Sequence, residues 1–299
     1  MKPRYAIITD DPGWHGARLR EALFERGCEA VCLALSQGRL ETLPGRPSVV
    51  FPGFETEPPS GVFVRGINGG SLEQLILRLD LLHGFELDGI KVYNPPRAIE
   101  QSVDKGMTSV LLARSGIPTP PAWITSDPAE ARAIVRAELL RGYWMVSKPL
   151  FGSQGDGVER HTDLDSLEAL QPAGDVYYLQ RYVGQSPAWD WRVFVIAGKA
   201  VAGMVRRGMD WRTNVAQGGR PELARLDKPL MKLAEDSAQA LRLDYAGVDI
   251  IRDAEDRYWV LEVNAIPAWK GLQSVAGLDM TRLLVEDFLT HCQPLRRTG

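Results

Sequence analysis

Cysteine is scarce in this chain of 299 residues: Cys28, Cys32 and Cys292 are the whole set, with no Cys-x-x-Cys spacing. An odd set so spaced argues against a zinc site and for reduced structural thiols. An excess of charge is missing too. The net charge is -3 and the basic residues are scattered, apart from Arg206-Arg207 and Arg296-Arg297, so no nucleic-acid partner is expected. No apolar run approaches membrane-spanning length, and the N-terminal MKPRYAIITDDPG runs straight into a strand-like segment. No membrane partner, no signal peptide and a cytoplasmic location are therefore expected. Internal repeats and low-complexity tracts are absent. What remains is ordinary: 44% hydrophobic and 24% charged residues, ample for the core of one large unit or of two to three small domains.

Along the chain, strands are expected at Tyr5 to Thr9 and Ala30 to Ala34, flanking a helix from Ala17 to Arg26 that Gly27 stops. Strand, helix and strand in that order indicate a parallel α/β layer. Short strands at Gly61 to Arg65 and Lys91 to Asn94 frame a helix from Leu72 to His83, and Pro95-Pro96 marks a boundary. One helix is expected over Glu100 to Ser115 and another over Pro128 to Arg141. Strands follow at Tyr143 to Ser147 and Val176 to Tyr182, then a hairpin around Ala197-Gly198-Lys199. Helices close the reading at Pro229 to Leu241 and Met280 to His291.

The stretch from Ala246 to Pro267 reads as two strands around a turn centred on Glu255-Asp256. That register places Val248 opposite Val263 and Ile250 opposite Leu261 on an apolar face, because side chains alternate along a strand. It also sets Asp249 against Glu262, with Asn264 two residues on. Two acids facing each other repel unless a cation sits between them, and three oxygen-bearing side chains suit a hard divalent ion. A plain hairpin with acids on its solvent side is the alternative.

Gly152 to Gly157 follows a strand that ends at Lys148. Glycines let backbone N–H groups approach a phosphate, and the lysine adds a point charge. The segment matches neither GxxxxGK[ST] nor GxGxxG, and a flexible surface loop beside a solvated lysine reads equally well. Lys105 follows Asp104 near a helix start. Asp190 and Arg192, two apart on a strand, share a face. Arg206, Arg207, Arg212 and Asn214 surround a polar, glycine-containing stretch suited to anions.

In this order these residues resemble the ATP-grasp enzymes, and within them the RimK-type amino-acid ligases, over nearly the whole chain. The pieces are Asp104-Lys105-Gly-Met with Leu111-Leu-Ala-Arg-Ser-Gly-Ile117, Val146-Ser-Lys148 with Gly152-Ser-Gln-Gly-Asp-Gly157, Gln180-Arg-Tyr182, Asp190-Trp-Arg192, Arg212-Thr-Asn214, Ala246-Gly-Val-Asp249 and Glu262-Val-Asn264. The resemblance implies an α/β (α+β) ATP-grasp fold: an N-terminal parallel α/β domain over 1–95, and two α+β subdomains, 96–184 and 185–299, enclosing the nucleotide. Lys105 and Lys148 are then the phosphate lysines. Gly152, Ser153, Gly155 and Gly157 form the phosphate loop, and Gln180, Arg181, Tyr182 and Val183 the adenine hinge. Asp190 is placed at the ribose, with Arg212 and Asn214 near the phosphates. Asp249, Glu262 and Asn264 become ligands for Mg2+ or Mn2+, and Arg192, Arg207 and Arg212 serve the reacting oxyanion.

The implied activity is ATP-dependent, ADP-forming amide formation between a carboxylate acceptor and an amino acid, with L-glutamate expected. The acceptor is a pterin-type coenzyme or a protein C-terminus, and homo-oligomerisation is left open. An ATP-grasp kinase and a silent ATP-binding subunit are the alternatives. Two departures from the family pattern stand out: Arg181 replaces a usual hinge carboxylate, and Ile266-Pro267-Ala268-Trp269 replaces Ser-Pro-Gly after the asparagine.

Overall fold

The computed structural model describes residues 2–152, 156–184, 189–207 and 220–292, without the Arg220 side chain. Two compact units make it up. The first comprises Met1–Glu100, Leu243–Tyr245 and Ile266–Gly299, the second Gln101–Arg242 and Ala246–Ala265.

In the first unit the chain forms β1 (Arg4–Ile8), α1 (Gly13–Glu25), β2 (Glu29–Leu33), β3 (Arg39–Leu40), β4 (Val49–Val50), β5 (Val62–Val64), α2 (Leu72–Leu87) and β6 (Val92–Tyr93). β1, β2, β5 and β6 make the expected parallel sheet, in the order β2-β1-β5-β6. Its strands are near-continuous apolar runs, as buried parallel strands are: Ala6, Ile7, Ile8, Val62, Phe63 and Val64 are fully buried. Against them pack Leu19 and Leu23 of α1, Leu81, Leu82 and Phe85 of α2, and Phe288 of the C-terminal helix, whose ring lies 5.2 Å from Tyr5 and 5.5 Å from Phe63. α2 runs a turn past its expected end. Ser71 caps its start by accepting the Gln74 N–H.

The second unit begins with a correction. A single helix over Glu100 to Ser115 is replaced by α3 (Pro96–Val103) and α4 (Lys105–Arg114). Asp104 interrupts the run by taking an extended conformation, and its carboxylate accepts the Met107 N–H at 3.0 Å. It is a capping residue, which favours a helix start over a helix interior. β7 (Ala122–Thr125), α5 (Pro128–Leu140), β8 (Met145–Lys148), β9 (Glu159–His161) and β10 (Tyr177–Arg181) follow. The four strands form an antiparallel sheet in the order β7-β10-β8-β9. α5 packs on it through Ala131 and Val135 against Met145, Tyr177 and Leu179.

A second antiparallel sheet, ordered β13-β12-β11-β14-β15, contains β11 (Trp189–Ile196), β12 (Lys199–Arg207), β13 (Arg220–Leu223), β14 (Tyr245–Arg252) and β15 (Tyr258–Asn264). α6 (Lys228–Ala240) covers it with Leu230, Ala234 and Ala238. The hairpin register agrees with the expectation at Val248–Val263 and Asp249–Glu262, then departs: Ile250 pairs with Val260. A β-bulge inserts Leu261, so Val260 occupies the buried position expected for Leu261. α7 (Lys270–Val275) and α8 (Met280–Cys292) end the described chain in the first unit. Among the described residues no helix is long and apolar enough to cross a membrane.

Candidate active site

The second unit gathers most of the charged residues singled out in the sequence. Tyr178 pairs with Lys148 across β10 and β8, and a polar chain runs beside them. The Ser109 and Tyr178 hydroxyls share a hydrogen bond at 2.8 Å, the Gln180 amide donates to Tyr178 at 3.1 Å, and Lys148 Nζ donates to Gln180 Oε1 at 2.7 Å. Gln180 is 2% exposed, so its side chain orients the lysine. Burial lowers the Lys148 pKa to about 8; the Glu262 carboxylate opposes that shift and Lys105 adds to it. Lys105, at the first position of α4, donates to the Gly152 carbonyl at 2.8 Å and to the Leu150 carbonyl at 3.4 Å. Burial lowers its pKa too, against the pull of Glu262 and Asp104. Gly157 takes φ +65°, and a Cβ there would sit 2.8 Å from Pro149 Cγ, so the loop admits only glycine at that point.

The hinge is narrower than expected. Arg181 turns its side chain to Glu138 of α5 at 2.5 Å, with the guanidinium 4.0 Å from the Tyr143 ring. Its N–H donates to the Pro121 carbonyl, and the Tyr182 N–H to that of Trp144. Val183 is the first hinge residue whose N–H has no partner among the described residues. A carboxylate at position 181 is thus replaced by an arginine braced against α5.

Across the other sheet runs a row of charge. Arg206 on β12 forks onto both oxygens of Asp190 on β11, at 2.7 and 2.5 Å, and reaches Asp249 Oδ2 at 2.9 Å. Arg192 forks onto Asp249 on β14, at 2.7 and 2.6 Å, and Glu262 on β15 faces Asp249. Burial alone would lower the Arg206 pKa, but Asp249 and Asp190 hold it above its ordinary value. Burial alone would raise Asp249, yet Arg192 and Arg206 hold it low. Glu262 goes the other way: burial, then the Asp249 charge, push its carboxyl up, and Lys105, Arg192 and Lys148 offset this only in part. Its carboxylate has no hydrogen-bond or ion-pair partner among the described residues, and Asn264 donates to the Gly247 carbonyl at 3.3 Å.

These residues fit a divalent cation. Glu262, a half-buried acid with no hydrogen-bond partner among the described residues, and the Asn264 amide oxygen are available to such an ion, whereas Asp249 has both oxygens on Arg192 and would have to turn from it to join them. Among the described residues no cluster of three or more His, Cys, Asp or Glu side chains exists; the set here is two acids and an amide oxygen.

Two of the expected site residues are held by partners within the protein. Asp190, expected at the ribose, has both carboxylate oxygens on Arg206. Arg207, expected at the oxyanion, is exposed and pairs with Glu222 at 3.3 Å, because strand alternation sends it to the face opposite Arg206. Ser153, Gly155, Arg212 and Asn214 lie outside the described residues. Reasoning from sequence missed Ser109, Tyr178 and Glu138. The two-residue spacing of Tyr178 and Gln180 on one strand face was the available signal for Tyr178.

Two antiparallel sheets, one carrying Lys148 with Lys105 on the neighbouring helix and the other carrying the facing acids Asp249 and Glu262, match the ATP-grasp ligase fold. The solved ATP-grasp ligase PsnB, in complex with a minimal precursor, shares it, with a TM-score of 0.74 over 97% of this chain and 99% of that one, at 22% identity. A family model for the RimK-like ATP-grasp domain matches residues 102–288, and the chain belongs to that family of ATP-dependent ligases. The tetrahydromethanopterin:alpha-L-glutamate ligase of Methanococcus maripaludis is 32% identical over 77% of this chain and 79% of that protein. The protein of the same description from Methanosarcina acetivorans is 28% identical over 96% of this chain and 98% of its own length.

Proposed function

We propose that this protein is an ADP-forming carboxylate–amine ligase that adds L-glutamate to a carboxylate acceptor. The observation that carries the reading is the convergence of charge on Glu262: both Lys105 and Lys148 act on its carboxyl, and Asp249 faces it. Such a group of cations around an acid pair suits a nucleotide polyphosphate held with a divalent ion. The choice of glutamate is supported by the alpha-L-glutamate ligase descriptions of the relatives. The division at residue 184 into a phosphate half and a metal half belongs to the same reading.

A carboxylate is a poor electrophile. Transfer of the γ-phosphoryl group to its oxygen yields an acyl phosphate and ADP, and the amine then displaces phosphate to give the amide, releasing a proton. Lys148, held by Gln180, and Lys105, tied to the glycine loop, balance charge on the phosphate oxygens. Burial lowers the Lys148 pKa to about 8, and a phosphate oxygen beside it favours the charged form. Val183 supplies a main-chain donor for the adenine. Arg192 and Arg212 keep the oxyanion role that the family resemblance implies for them. A magnesium or manganese ion, when bound, supplies Lewis-acid neutralisation of the phosphoryl group, with Glu262, Asp249 and Asn264 to hold it.

The test is ADP release with and without each co-substrate, using an acceptor labelled with oxygen-18 in its carboxylate. Release that needs both acceptor and amine, with one label atom in the phosphate, is the expected result. Unlabelled phosphate sinks the acyl phosphate, and a phosphorylated product without an amide makes the enzyme a kinase. Equal stimulation by L-glutamine and L-glutamate removes glutamate from the assignment.

A further inference from the structure

In the first unit the half-buried Arg65 has no counter-charge among the described residues. Arg65 follows β5, and its backbone N–H donates to the Ile8 carbonyl at 2.8 Å. Its guanidinium donates to the Ile266 carbonyl at 3.2 Å and lies 5.2 Å from the Trp269 ring. Nε is buried with no hydrogen-bond partner, and no carboxylate among the described residues pairs with it. Burial lowers its pKa, and only Tyr245 opposes the shift. An unpaired buried charge is costly, and Arg181, Arg192 and Arg206 all have carboxylate partners.

The neighbourhood supplies a second donor. The Trp269 N–H donates to His15 Nε2 at 3.2 Å, which leaves the imidazole proton on Nδ1. Burial first, then Arg65 and Lys270, push the His15 pKa down to about 4, so the ring is neutral at pH 7. Its Nδ1–H has no partner among the described residues. Trp14 closes the cluster, 5.0 Å from His15 and 6.4 Å from Trp269 between ring centres.

The topology places this cluster where ligands bind open parallel sheets. The chain leaves β1 for β2 on one side and returns to β5 on the other. The carboxyl ends of β1 and β5 therefore flank a switch point, the usual crevice for a ligand. Arg65 stands directly after β5 and His15 in the first turn of the helix after β1.

We propose that Arg65 and His15 form a carboxylate-binding site at the switch point of the first unit's sheet, and that its ligand is the acceptor. A guanidinium fork matches a carboxylate, and a neutral imidazole adds a donor without a second charge, which suits a monoanionic group. The acceptor assignment rests on the ligase reading; the carboxylate site does not.

The test uses the full chain without nucleotide or metal in low-chloride buffer. Glutarate, its neutral counterpart glutaramide and inorganic phosphate are titrated against tryptophan emission and melting temperature. Glutarate produces a saturable change, glutaramide none, and Arg65→Met weakens the glutarate response at least tenfold. Without ligand, Arg65→Met melts higher than the parent because the unpaired charge is gone. Arg65→Lys keeps the charge, loses the fork and falls between. A Met variant that melts lower or fails to fold makes Arg65 a brace for the Ile266 carbonyl and overturns the proposal. So does an unchanged glutarate response, or a response to phosphate alone. Saturable glutarate binding with no ADP release from any acceptor keeps the site and removes the ligase; acceptor-dependent ADP release with no glutarate response does the reverse.

Discussion

Arg206 in the second unit and Arg65 in the first are both largely withdrawn from water, and they solve that problem in opposite ways. Arg206 has Asp190 and Asp249 against its fork, and their charges raise its pKa. Arg65 has a carbonyl oxygen and an indole face, and its pKa falls. A charge balanced from within is part of the scaffold. A charge left unbalanced costs stability in the empty protein and is free to be satisfied from outside.

The strongest way to break this contrast is to unbalance the second unit. Asp249→Asn removes the carboxylate on which Arg192 forks and one of the two that Arg206 touches, and should cost about 3 kcal/mol or more of stability, read by urea denaturation. A loss under about 1 kcal/mol would mean the row is not coupled. Lys148→Met tests the same logic on a lysine. Turnover should fall roughly 30- to 1,000-fold, or about 2–4 kcal/mol, while the nucleotide-free protein melts higher. Wild-type turnover at saturating ATP would remove Lys148 from the site. Gln180→Leu releases Lys148 while leaving the hinge backbone in place. It should lower kcat about tenfold, ~1–2 kcal/mol, with little change in the KM for ATP; a change confined to KM would return Gln180 to adenine recognition.

The smallest effect is in pH. Burial lowers the Lys148 pKa in the folded protein to about 8, from the ordinary lysine value of 10.5. A depressed lysine costs stability fully below pH 8, and that cost is relieved as pH rises from 8 toward 10.5. Phosphate contacts favour the charged form, so ATP binding at pH 8–9 should take up a fraction of a proton, seen by calorimetry in buffers of different ionisation enthalpy. Nucleotide affinity should decline above pH 8. Proton uptake that persists unchanged in Lys148→Met would assign it to another group.

Local pattern carried much of this. Alternation along 246–264 was enough to pair Asp249 with Glu262, because one face of that hairpin is apolar throughout. The break at Asp104 was missed, because the apolar spacing continues across it, although aspartate's preference for a cap was the signal available. Partners across non-adjacent strands were not legible. That Asp249 meets Arg192 and Arg206 depends on β14 lying beside β11, and no spacing within either strand encodes this. Gln180 was placed in the hinge by the family resemblance alone; its side-chain role follows from β8 lying beside β10. Nor does the 3.6-residue pattern of α8 say which sheet it covers.

Leu261 gives the hairpin of β14 and β15 two parities in one strand. From Val263 backward the inward positions on β15 should be odd-numbered, yet Val260 is the next one in, and the even phase begins there. Every cross-strand partnership of the hairpin is made without Leu261. A chain shortened by that residue alone would keep each pair in register and lose the extra local twist that a bulge imparts. Its signature would be a retained melting temperature with an altered magnesium requirement: the deletion edits the direction in which Glu262 is presented and leaves its neighbours as they were.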